Sequence, residues 1–337
     1  MWRGLRHGGG IDGNLQHRLD LHIMAKTDPL DGKLVVLLGG SGMLGTHVAQ
    51  ELLARGARLR VAARRPERGW HLKPLAKLGQ IQFVRCDVTK PQTIAPLMAG
   101  ADAAVYLVGA FAGDLDALQA QGPGLAAQAA QAAGAQAFVL VSAIGADTES
   151  DIAYARTKAA GEQAVHAAFP QATVLRPSVL FGEDDRFINL FAGLIARFPV
   201  LPVFAPKARL QPLHIDDAAR AVAEALADPA RHGGKTYEIA GPEAFDMATL
   251  NRMIAQGQRR QPLFVDLPDG LAGLIAALPG APINRDQWKL LQAGNVPSGR
   301  FPGLEALGIA PRPLGLFLDR WMTRYRKHGR FGVAKAA

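Results

Sequence analysis

Lys33-Leu34-Val35-Val36-Leu37-Leu38-Gly39-Gly40-Ser41-Gly42-Met43-Leu44-Gly45 is the stretch on which the fold turns. Its first six residues form a short, almost wholly apolar run, the pattern of a buried strand. From Met43 to Arg55, residues Leu44, Val48, Leu52 and Leu53 share one face at helical spacing. Between strand and helix lie Gly39, Gly42 and Gly45, spaced GxxGxxG. In such a turn the first glycine permits the sharp exit from the strand, the second lets backbone approach a pyrophosphate, and the third lets the helix pack close to the sheet. The helix N-terminus adds free N–H groups and the positive end of its dipole. Glycines also mark ordinary turns, but here the strand before and the helix after are read independently, which is the confirming context. The candidate phosphate-binding residues are Gly39, Ser41, Gly42, Met43, Leu44 and Gly45.

Outward from that turn the periodicity keeps alternating. Strands are expected at 59–63, 81–84, 103–108, 138–141 and 173–175. Helices are expected near 72–78, 92–98, 115–133 and 154–169. Strands and helices in strict alternation make a parallel sheet covered on both faces. The right-handed crossover rule leaves a doubly wound Rossmann fold as the simplest topology. Beyond Phe181 the pattern loosens among recurrent prolines, with helices near 216–227 and 247–256, and this predicts a smaller C-terminal lobe. The expected organisation is a disordered leader over 1–30, a nucleotide-binding core over 31–182, a smaller lobe interleaved with late core elements over 183–311, and a basic C-terminal helix and tail over 312–337. Both Met1 and Met24 stand as possible starts.

The second strand ends Ala62-Ala63-Arg64-Arg65, without the acid that would hold the ribose 2′-hydroxyl of NAD. Arg64 or Arg65 suits a 2′-phosphate and can stack on adenine; the plainer reading is two solvated arginines. The missing acid favours NADP(H) over NAD(H). Asp87 is placed either to accept from the adenine amino group or to cap the next helix. Val88, Val108 and Gly109 complete the expected cofactor lining.

Tyr154 and Lys158 stand four residues apart at the start of a helix, hence on one face. An ammonium beside a phenol lowers the phenol's pKa and makes the tyrosine a candidate proton donor or acceptor at a carbonyl or alcohol. Ser142, after the fifth strand, is the candidate to bind the same oxygen. A surface Tyr–Lys pair is the plainer alternative.

Together these residues resemble the extended or atypical branch of the short-chain dehydrogenase/reductase superfamily, from about Leu34 to Ala240. Val141-Ser142-Ala143, Leu213-His214-Ile215-Asp216-Asp217 and the stretch Leu175 to Gly182 add to the likeness. The resemblance implies that Pro177, Ser178 and Val179 pass beside the nicotinamide. Within that branch, Arg176-Pro177-Ser178-Val179-Leu180-Phe181-Gly182-Glu183-Asp184-Asp185-Arg186-Phe187 is most similar to the nucleotide-binding accessory-subunit family of respiratory complex I. That resemblance implies a mainly structural NADPH at the complex's peripheral arm, weak or undetected catalysis, and complex I subunits as partners. No equivalent of the typical active-site Asn is found. An active NADP-dependent reductase or epimerase on a sugar nucleotide, terpenoid or quinone-like substrate stands second. A redox-sensing regulator stands third.

Composition sets the outer bounds. The chain has 337 residues, 49% hydrophobic and 20% charged, ordinary for a globular protein, and its net charge of +9 is of the kind that suits nucleic acid, anionic lipid or an acidic protein partner. No apolar run reaches spanning length, and Leu271–Leu278 is read as lining a cleft or meeting a partner. Lone Cys86 cannot form an internal disulfide, which fits a reducing compartment. The expected location is cytoplasmic, peripheral on the inner membrane's cytoplasmic face. Basic residues are spread without a dense run until Arg312 to Arg330, and no nucleic-acid partner is expected. A helix over Leu314–His328 would carry Leu316, Phe317, Trp321 and Tyr325 on one face. It lies either on an anionic membrane or acidic partner or on its own domain. Asp216 is read as a helix N-cap, and the histidines show no metal-ligand spacing.

Overall fold

The computed structural model describes residues 27–276, 285–327 and 329. Most of the expected leader, both candidate starts, residues 277–278 of the apolar stretch, His328 and the end of the tail lie outside them.

Along the chain the main elements begin with β1 Leu34–Leu38, α1 Met43–Ala54, β2 Arg58–Ala63, β3 Ile81–Arg85, β4 Ala103–Tyr106, α2 Gly122–Ala132, β5 Ala137–Val141, α3 Ala153–Ala168 and β6 Thr173–Pro177. They continue with β7 Leu180–Phe181, α4 Phe187–Arg197, β8 Val200–Val203, β9 Arg209–Leu210, β10 Leu213–His214, α5 Ile215–Ala227, β11 Thr236–Ile239 and β12 Phe245–Asp246. The last are α6 Met247–Gly257, β13 Leu263–Asp266, α7 Asp269–Ala276, α8 Arg285–Ala293 and α9 Gly315–Trp321.

Seven strands form one parallel sheet in the order β3-β2-β1-β4-β5-β6-β11. The central strands β1, β4 and β5 are buried almost throughout, as a sheet covered on both faces requires. One apolar cluster packs α1 and α5 on one face; another packs α2 and the residues around Ile94–Met98 on the other. The chain runs outward from β1 to β3, then returns to β4 on the other side. This reversal opens a crevice at the carboxyl ends of β1 and β4, where such sheets bind ligands.

A third cluster is separate. α4, α6 and α9 close over Phe181, Leu201, Phe204 and Trp288. Among the described residues its strands form three two-stranded pairs, β7–β10, β9–β12 and β8–β13. α5, β11 and Leu304–Ile309 return to the main sheet's core, so the two lobes interleave.

Four local expectations change. The helix expected near 72–78 is instead a run of 3-10 turns over Pro66–Leu75, with prolines at both ends of the segment; proline removes the N–H a longer helix needs. The helix near 92–98 is one α turn, Pro91–Ile94, and then a 3-10 turn beginning before Pro96. The long helix expected from 115 opens as a π turn over Asp116–Gln121 and becomes α-helical only at Gly122-Pro123. Pro123 cannot donate to the Gln119 carbonyl, and that oxygen lies so close to Gly161 of α3 that any Cβ there would overlap it. The Tyr106 hydroxyl donates to the neighbouring Leu118 carbonyl at 2.6 Å. Finally, α5 is capped by His214, whose Nδ1 accepts from the Asp216 N–H at 3.2 Å. Asp216 lies inside the first turn, where its charge suits the dipole.

The C-terminal segment packs on its own protein. It forms α9 and a 3-10 turn, Met322–Tyr325, rather than one helix to His328. Phe317 and Trp321 stack in series on His214, with ring centroids 4.2 Å and 4.9 Å apart along the stack. Leu316 alone of the expected apolar face points out, 69% exposed.

Candidate nucleotide-binding and proton-transfer site

Gly39 leaves β1 at φ +85°, and a Cβ there would stand 3.0 Å from the Val108 side chain. A side chain is therefore excluded on both conformational and steric grounds. Gly45 is tighter still, its Cβ position 2.6 Å from the Gly39 carbonyl oxygen and the Gly40 Cα. Gly40, outside the glycine spacing read from the sequence, is also packed, 2.8 Å from the Leu37 Cβ. Gly42 differs. It is exposed and meets only the Gly39 oxygen, at 3.3 Å. α1 has no side-chain cap and no acid in its first turn. The first N–H groups of Met43, Leu44 and Gly45 thus have no intrahelical partner, and the turn fits an anion. Ser41 is half-buried beside it.

Arg64 and Arg65 follow β2, both exposed. Asp87 neither caps a helix nor stands free. Its carboxylate accepts from the Thr89 N–H and hydroxyl at 3.2 Å and 2.8 Å, and the next helical turn, Pro91–Ile94, has Lys90 at its N-cap. The Thr89 hydroxyl is the leading cause that holds this carboxyl below the usual range; Arg64 adds a smaller pull. Val88 is buried, Val108 half-buried against Gly39, and Gly109 exposed at the crevice.

Lys158 of α3 is 6% exposed. Its Nζ donates to the Val141 carbonyl at 3.1 Å and reaches a point 3.6 Å from where a Gly109 Cβ would be. Burial pulls its pKa down to about 8, with Glu162 partly opposing. The folded state then binds fewer protons than the unfolded between about 8 and 10.5, so this group's contribution to stability rises with pH across that window. Tyr154 stacks on Phe111, centroids 4.6 Å apart at 16°. Its phenol is pushed up to about 12 by burial. This reverses the sequence expectation of a lowered phenol. Lys158 Nζ lies 5.9 Å from the ring and is itself drawn toward neutrality, so desolvation wins. At neutral pH Tyr154 is a protonated donor, not a phenolate.

Ser142 also departs from expectation. It is 3% exposed, and its Oγ donates to Glu162 Oε1. Glu162 in turn takes a bidentate pair from Arg176, Nε at 2.9 Å and Nη2 at 2.6 Å. The hydroxyl is buried and its proton is already engaged with Glu162. Pro177 is buried, and Ser178 and Val179 are pinned by a residue the sequence did not single out. Asn295 Oδ1 accepts from Ser178 Oγ at 2.8 Å and from the Val179 N–H at 2.5 Å. Its own backbone joins Arg209 and Gln211. Nothing in a lone Asn of an irregular segment marks such a hub. Gln119, in the π turn, is a second omission. It is buried, its Nε2 donates to the Ala110 carbonyl at 3.2 Å, and its Oε1 has no partner among the described residues. The Gly122-Pro123 pair was the available signal. Among the described residues no acidic, His or Cys group has metal-site spacing.

The sheet, the glycine turn and the pair of half-buried Tyr154 and buried Lys158 define a nicotinamide-nucleotide-binding protein of the epimerase-like short-chain dehydrogenase class. A family model described as NAD(P)H-binding matches residues 39–191, and one described as RmlD substrate binding domain matches 143–266. A nucleoside-diphosphate-sugar epimerase from Staphylococcus aureus shares the fold at TM-score 0.68 and 14% identity, over 85% of this chain and 99% of that one. The chain is 30% identical over 321 residues to the mitochondrial NADH dehydrogenase (ubiquinone) 1 alpha subcomplex subunit 9 of Arabidopsis thaliana, covering 89% of this chain and 80% of the relative. It is 31% identical over 270 residues to the ceramide reductase of Caulobacter vibrioides, covering 79% and 80%. The chain belongs to the family of the alpha-subcomplex subunit 9 proteins.

Proposed function

We propose that this protein binds NADP(H) and serves as an accessory or assembly-type subunit of a respiratory NADH:quinone oxidoreductase. The likeness to the subunit 9 proteins carries the reading, because its 321 residues extend through the second lobe and not only the nucleotide core. For the cofactor, the α1 N-terminus and Gly42 take the pyrophosphate, with Ser41 at its side, and Arg64 and Arg65 take the 2′-phosphate that no acid at Ala63 competes for. Val88, Val108 and Gly109 line the crevice, Lys158 holds the ribose, and Pro177, Ser178 and Val179 border the nicotinamide. The protein's place is then peripheral, on the cytoplasmic face of the inner membrane; no described helix is long and apolar enough to cross a membrane. Contact with an anionic surface through the C-terminal segment would run through exposed Arg320 and Lys327, since its aromatic face is turned inward.

Solubilising membranes in mild detergent and resolving them on a native gel tests the assignment. The chain is expected to co-migrate with NADH:quinone oxidoreductase activity. Migration as a free protein, with that complex intact beside it, overturns the reading.

One observation favours a second reading, a carbonyl reductase. Tyr154 is kept as a protonated donor one helical turn from Lys158, and the chain is also similar to a ceramide reductase, at 31% identity. The cofactor would supply the hydride; Tyr154 would deliver the proton to the carbonyl oxygen, and Ser142 would take no part. Carbonyl-dependent NADPH oxidation, lost in Tyr154→Phe with binding retained, would establish it.

A further inference from the structure

The second lobe contains a cavity that the nucleotide does not use. Its volume is about 280 Å³, near the lower end of the ~300–1,000 Å³ typical of small-molecule sites. Leu190, Leu194 and Ile195 of α4 form one wall, Leu201 and Phe204 another, and Asn251 of α6 contributes the one polar side chain. The Asn251 Nδ2 already donates to the Met247 carbonyl at 2.9 Å. Ordered water needs about two to four polar partners, which this lining does not offer. The space suits an apolar occupant. At ~30 Å³ for each water-sized group it holds roughly nine, the bulk of a short alkyl segment.

The cavity reaches the surface where Phe198 and Val200 line it, since these are 52% and 51% exposed. β13 runs beside β8 with Leu263 opposite Val200 and Val265 opposite Pro202, and Leu263 and Val265 are 62% and 44% exposed. Exposed apolar side chains therefore stand at the mouth, Phe198 and Val200, and beside it, Leu263 and Val265. Helical spacing puts Arg197 at the border of the α4 stripe that lines the cavity. Arg197 has no hydrogen-bond or ion-pair partner among the described residues. A cation in the last turn also suits the helix dipole, so it is the apolar cavity beside that charge which makes an amphiphile the fitting ligand.

We propose that this cavity binds one unbranched aliphatic chain with an anionic head, the chain inside the α4–β8 walls and the head at Arg197. Such a chain comes either from a free fatty acid or from one acyl chain of an anionic phospholipid. The proposal does not depend on the nucleotide assignment.

The test uses the full-length protein and the fluorescence of cis-parinaric acid. One probe per protein is expected to bind, displaced by decanoate at least tenfold more effectively than by decylamine. Leu194→Trp, which fills the cavity, is expected to weaken the probe at least tenfold while nucleotide binding is unchanged. Arg197→Gln is expected to erase the preference for decanoate over decylamine. Native mass spectrometry with decanoate reads the same one-to-one stoichiometry without any substitution. Displacement by dioleoylphosphatidylglycerol vesicles, set against displacement by decanoate alone, identifies the natural source, and either supports the site. Probe binding that is absent, or that is equal in wild type and in a nucleotide-competent Leu194→Trp, overturns it.

Discussion

Gly45 and Leu194 both sit where two elements meet, for opposite reasons. At Gly45 the backbone of α1 lies against the backbone of the turn, and the space left over is polar, an array of free N–H groups. At Leu194 side chains of α4 face those of β8, and the space left over is an apolar void. The first arrangement is fixed by residue positions in one short stretch of chain. The second depends on how side chains from three separated segments fail to fill the gap between them.

The largest effect tests how the halves are joined. Asp217 of α5 is fully buried and meets Arg312 through Nε and Nη2, both at 2.8 Å, and through the Arg312 N–H at 2.9 Å. Arg312→Ala removes the guanidinium and leaves the buried carboxylate only the backbone N–H at 312, at a cost of about 3 kcal/mol, read by urea denaturation. Adding Asp217→Asn is expected to return part of the loss. A cost below about 1 kcal/mol would mean the lobes dock without this clamp.

Next is Gly45→Ala, which forces a Cβ onto the Gly39 oxygen and is expected to cost about 2–4 kcal/mol and to remove stabilisation by NADPH. Stabilisation by decanoate should survive in the same variant at a temperature where it is folded. Loss of both would merge the two sites into one.

Asp185 provides the third test, confined to the second lobe. Burial pushes its carboxyl up to about 6, although it accepts from the Ile188 N–H at 2.6 Å. The folded value exceeds the unfolded one, so the group favours folding while protonated, and that advantage is lost as pH rises from about 4 through about 6. Relative to Asp185→Asn, the wild type is expected to lose about 2 kcal/mol between pH 4 and pH 7. Parallel stability curves would contradict this. The smallest effect is cofactor choice. Arg64→Ala with Arg65→Ala should weaken NADPH about tenfold, ~1.4 kcal/mol, and leave NADH unchanged; equal losses would make both arginines general phosphate contacts.

The sheet was legible because each of its central strands is a short apolar run bounded by turn residues, and the glycine turn because its spacing is backbone geometry. Pro66, Pro74 and Pro96 misled the helix reading where a proline permits a turn but no ladder. Ser142 and Asp216 were assigned by position alone. The Ser142 bond to Glu162 joins residues twenty apart that only the fold brings together, whereas the cap is local, His214 Nδ1 accepting from the Asp216 N–H two residues on. The Tyr154 phenol was read from its charged neighbour, whereas burial sets it. β8, β13 and the Asn295 hub belong to irregular, proline-rich chain, where periodicity gives no signal.

The most direct measurement is mass spectrometry of the nucleotide released from purified protein, followed by titration of the emptied protein with NADPH and NADH. The account predicts NADP(H) in the purified protein and tighter NADPH than NADH binding, lost in Gly45→Ala. NAD(H) as the bound species, or no nucleotide retained and none bound on addition, would contradict it.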